Sequence, residues 1–185
     1  MVAFAGVELV STRRLRKIDG AFPLMAVEGF LPESSYTALA DAFPEQDDWW
    51  VRKQQSGDIK WDLASNTHAF SECLTDTPPW PAFIEAISGH AFICDLLDLI
   101  LEPMRESAKS NDIPDPDVAN AIATCQSAAD LTDRIFNDGE ILINLSLMQR
   151  GVLNTPHYDA IRKILSLLTY FPTQGWEAGH GGGTE

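Results

Sequence analysis

His157 and Asp159 stand two residues apart in the segment Gly151 to Arg162. On an extended backbone, side chains i and i+2 project from one face, with Cα atoms roughly 7 Å apart. An imidazole and a carboxylate placed this way can take two neighbouring positions around one metal ion. They make up two-thirds of the facial triad of two histidines and one carboxylate that holds non-haem Fe(II) and leaves positions open for O₂ and a cosubstrate. The tripeptide alone fits a loop histidine paired with a neighbouring acid equally well.

Other chemistries find less in the sequence. Cys73, Cys94 and Cys125 are odd in number and lack CxxC spacing, and no GxSxG occurs. A cysteine or serine hydrolase and a zinc knuckle are therefore disfavoured, and reduced thiols in a cytoplasmic protein are expected. His68 and His90 precede the candidate motif and read as structural or exposed. Trp49, Trp50 and Trp61 lie in a polar stretch from which they reach either a substrate or the core.

The elements that must position His157 and Asp159 follow from periodicity. Phe22 to Phe30 reads as a short strand ended by Leu31-Pro32. Glu33 to Phe43 carries Tyr36, Leu39, Ala40 and Phe43 at helical spacing. Pro44 to Asp62 reads as loop or hairpin with Ser56-Gly57 at the turn. Trp80, Phe83, Ile84 and Ile87 predict a helix stopped by Gly89. Ile93 to Met104 predicts a longer one, kinked or ended by Pro103. Asn111 to Asp117 is rich in breakers, and Asp117 is placed to cap one further helix running through Asp133. Glu140 to Met148 and Lys163 to Phe171 are Ile- and Leu-rich runs that predict strands. Helices in the first 135 residues and sheet in the last 45 give an α+β domain over residues 1–185.

The 185 residues are 45% hydrophobic and carry 27 acidic against 13 basic side chains, a net charge of −14. Such a surface disfavours nucleic acid and anionic lipid as partners, and no apolar run is long enough to span a membrane. Arg13, Arg14, Arg16 and Lys17 follow the first apolar stretch instead of preceding it, which is the wrong order for a secretion signal.

In chain order come His157-Tyr158-Asp159, Arg162-Lys163, Leu165 to Phe171, Trp176, and Gly182-Gly183-Thr184-Glu185. This order resembles the 2-oxoglutarate- and Fe(II)-dependent oxygenase superfamily, in its prolyl 4-hydroxylase-like branch. The opening residues, Phe22-Pro23, Gly29-Phe30-Leu31-Pro32 and Phe43-Pro44, are similar to the same branch. The resemblance implies N-terminal helices (about 1–135) packed on a double-stranded β-helix, or jelly-roll, core whose first part is residues 136–185. It implies Fe(II) held by His157, Asp159 and a distant histidine, with 2-oxoglutarate as cosubstrate chelating the metal. It places Tyr170 where a tyrosine hydroxyl bonds the far carboxylate of 2-oxoglutarate, a task for which Arg162 and Lys163 are alternatives. Asn144, Ser146 and Met148 share one face of the strand before the motif and either line the mouth of the core or face solvent. Arg150 meets an acidic substrate or closes a turn.

The sequence departs from the family at one point. The distal histidine, and the Arg or Lys that pairs with the 5-carboxylate, are expected several strands beyond the Gly-Gly-Thr. His180 is the only histidine after Asp159 and lies in a glycine-rich loop. Residues 1–185 are therefore expected to form the N-terminal part of a dioxygenase with an incomplete core and little turnover alone, acting on a small-molecule or peptidyl substrate and self-associating through open sheet edges. The alternative is a non-catalytic jelly-roll binding or scaffold protein that has lost the metal site. A cupin-like enzyme is disfavoured because cupins bring more histidines together.

Overall fold

Helix formation dominates the middle of the chain because apolar residues recur there every three to four positions. The computed structural model describes residues 15–18, 24–27, 30–45, 48, 50–55, 58–75, 77–110, 112–148 and 163–171. In chain order the elements are β1 (Leu15–Ile18), β2 (Leu24–Val27), α1 (Glu33–Asp41), β3 (Val51–Gln55), β4 (Asp58–Ala64), α2 (His68–Thr75), α3 (Trp80–Ser88), α4 (His90–Lys109), α5 (Pro116–Thr124), α6 (Ala128–Asp138) and β5 (Asn144–Met148). This is a mixed α+β arrangement with antiparallel sheets. None of the described helices is long and apolar enough to cross a membrane.

The described residues fall into two compact units. In the first, β1 and β2 form an antiparallel pair, and α4 packs against α5 and α6. Its core joins Leu97, Ile100, Leu101 and Met104 of α4 to Ile122, Cys125, Ala128 and Leu131. α4 continues past Pro103 to Lys109, so of the expected kink or end the proline does not make an end. Proline removes one helical hydrogen bond and costs about 3 kcal/mol, whereas each fully buried leucine or isoleucine returns about 1.5–3 kcal/mol. The apolar stripe outweighs the proline.

The single helix expected from Asp117 to Asp133 is in fact two. Asp115, not Asp117, caps α5, its Oδ1 accepting the Asp117 and Val118 backbone N–H groups at 2.9 and 3.2 Å. Such a cap stabilises a helix by about 1 kcal/mol. Ser127 caps α6 by accepting from the Asp130 N–H, while Asp130 accepts from the Gln126 N–H at 2.8 Å. Arg134 holds the Asp130 carboxylate at 2.9 Å and reaches back to the Ala121 carbonyl and the Thr124 hydroxyl. Arg105 closes the same corner on the Cys125 carbonyl at 2.7 Å. These side chains supply the partners that the broken helix ends need.

The corner between α5 and α6 is acid-sensitive. The Gln126 N–H first, and then Arg134, hold the Asp130 carboxyl below the usual aspartate range. A carboxyl depressed in the folded state adds stability above its unfolded pKa and loses it as pH falls through the folded value. Urea midpoints are therefore expected to fall below about pH 4, and Asp130→Asn is expected to remove part of that slope while lowering stability at pH 7.

In the second unit β3, β4 and β5 form an antiparallel sheet in that order. Gln55 pairs with Asp58 in an antiparallel hairpin, while Ser56-Gly57, the expected turn, lie outside the described residues. β4 and β5 pair from Ala64–Asn144 to Lys60–Met148, and the Ser65 N–H extends the ladder to the Ile143 carbonyl. Phe43, Trp50, Trp80 and Phe171 form an aromatic cluster with neighbouring ring centroids 5.4–6.3 Å apart, a separation that favours stacked and edge-on pairs. The Trp50 and Trp80 indole N–H groups donate to the Glu45 and Leu39 carbonyls.

The strand expected over Lys163 to Phe171 is absent: these residues carry no regular secondary structure. Leu165 and Leu167 would fall on one face of a strand there, and Leu168 and Tyr170 on the other. A strand apolar on both faces holds only when both are covered. Among these, Leu168 is 65% exposed.

Candidate metal centre

His157 and Asp159, the two residues expected to hold a metal, lie outside the described residues. So do Arg150, Arg162, Trp49 and His180. The donor set itself fits Fe(II): one imidazole nitrogen and one carboxylate oxygen are two of the three ligands of the facial triad. Among the described residues, no group of three His, Cys, Asp or Glu side chains is placed to hold a metal.

Tyr170 is 55% exposed, in the segment where the expected strand is replaced by irregular chain. His68 pairs with Glu72 at 2.9 Å within α2, and His90 bridges from the start of α4 to Asp133 of α6 at 2.7 Å. Both are exposed, each with a ring nitrogen beside a carboxylate oxygen. Trp50 packs into the aromatic cluster, and Trp61 is half-buried on β4. No disulfide joins Cys73, Cys94 or Cys125.

β5, the strand that leads toward His157, forms as expected but with a polar feature that sequence reasoning missed. Asp62 on β4 is only 5% exposed. The Ser146 hydroxyl donates to Asp62 Oδ1 at 2.7 Å, and Lys60 Nζ lies 3.2 Å from the same oxygen. Asp62 and Ser146 are direct partners in the β4–β5 register. Ser146 is therefore half-buried and bonded across the sheet, whereas Asn144 is exposed. An activated serine has a general base within reach that is itself oriented by a third group, and a carboxylate tied to a lysine in the sheet is not that arrangement. The trio does fix the register: a one-residue slip would turn Ser146 away from Asp62 and push Leu145, now buried, to the wrong face. The signal in the sequence was the alternation of Lys60 and Asp62 with Trp61 and Leu63.

Removing this lock has an expected cost. Asp62→Ala leaves the half-buried Ser146 hydroxyl without its acceptor and is expected to lower stability by about 1 kcal/mol. Asp62→Asn keeps an acceptor and is expected to cost less. Urea unfolding followed by tryptophan fluorescence, with Trp61 adjacent on β4, would measure both.

No family model, no curated protein and no solved structure matches this chain.

Proposed function

We propose that these residues serve an Fe(II)- and 2-oxoglutarate-dependent dioxygenase that couples 2-oxoglutarate decarboxylation to hydroxylation of a substrate C–H bond. The observation that carries the proposal is the order His157-x-Asp159, Tyr170, Trp176, Gly182-Gly183-Thr184 in one stretch of chain. It is supported by an antiparallel sheet whose strand β5 ends nine residues before His157 in the chain.

In this assignment the His157 imidazole and the Asp159 carboxylate hold Fe(II), and the Tyr170 hydroxyl donates to the far carboxylate of 2-oxoglutarate. With metal and cosubstrate bound, O₂ and 2-oxoglutarate give succinate and CO₂, and one oxygen atom enters the substrate as a hydroxyl group. The protein's part is to fix geometry and to keep the reaction from its own side chains. The Asp62–Ser146 lock serves the first task by setting the strand from which the motif continues. Arg162 and Lys163 are the alternatives to Tyr170 for the far carboxylate of 2-oxoglutarate.

The test is an anaerobic titration of the chain with Fe(II), followed by 2-oxoglutarate. Saturable metal binding that requires His157, with cosubstrate binding only after metal, supports the assignment. Metal binding that is indifferent to His157 overturns it and favours a non-catalytic jelly-roll module.

A further inference from the structure

We draw no further inference here: the strongest candidate, the run of exposed apolar side chains Leu165, Leu167, Leu168 and Tyr170 along the irregular segment 163–171, carries none because nothing in the structure shows what covers it.

Discussion

His157→Ala is expected to weaken Fe(II) binding by more than about 100-fold, and Asp159→Ala by a similar factor. Loss of a group that only orients a metal ligand costs 10–100-fold in affinity, so loss of a ligand from a set of two must exceed that range. Far-UV circular dichroism is recorded on both variants beside the titration, and an unchanged spectrum is required of each. That separates a lost ligand from a lost fold. Tyr170→Phe supplies the complementary arm: metal affinity is retained while 2-oxoglutarate binds more weakly, because a single hydroxyl donor has been removed. If all three variants bind metal and cosubstrate like the parent chain, the HxD spacing is coincidental and the oxygenase assignment fails.

What the sequence discloses depends on how far apart the interacting residues lie. Helices α1, α3 and α4 are legible because each carries its own apolar stripe, and α4 has six buried side chains along twenty residues. Helix α2 is not legible. It buries only Phe70 and Leu74, a pair too short to establish a period, and its start relies on Thr67 accepting the Phe70 N–H. The break between α5 and α6 is hidden for a different reason. Apolar spacing continues across it, and the interruption is made by Arg134 and Arg105 reaching terminal carbonyls 13 and 20 residues away. The candidate site shows the same division. His157 and Asp159 are visible as neighbours in sequence, whereas Asp62 and Ser146 meet across 84 residues and become partners only once β4 and β5 pair. The run from Lys163 to Phe171 misleads because strand propensity describes a surface in need of cover, and propensity cannot say whether cover is present.

Leu131→Ala is expected to be the most damaging single substitution in the first unit, at about 2–5 kcal/mol. Leu131 is 0% exposed on α6, within the core formed with Leu97, Ile100, Leu101 and Met104 of α4. Truncation removes the transfer free energy of three carbons. It also leaves a cavity that cannot collapse easily, because Thr132 beside it is equally buried and bonded to the Ala128 carbonyl at 2.7 Å. Against the 5–15 kcal/mol typical of a whole domain, that loss is a large fraction. Leu142→Ala, at a residue 49% exposed, serves as the control and is expected to change stability by less than about 0.5 kcal/mol. The described tryptophans, Trp50, Trp61 and Trp80, all belong to the second unit, while α4, α5 and α6 supply much of the helical signal. Ellipticity therefore reports mainly the first unit and fluorescence the second. With Leu131→Ala the ellipticity midpoint is expected to drop on the order of 1 M urea or more. A fluorescence midpoint that falls with it identifies one cooperative transition, and one that stays in place identifies two. An unchanged ellipticity midpoint would mean that α6 does not pack on α4 through Leu131.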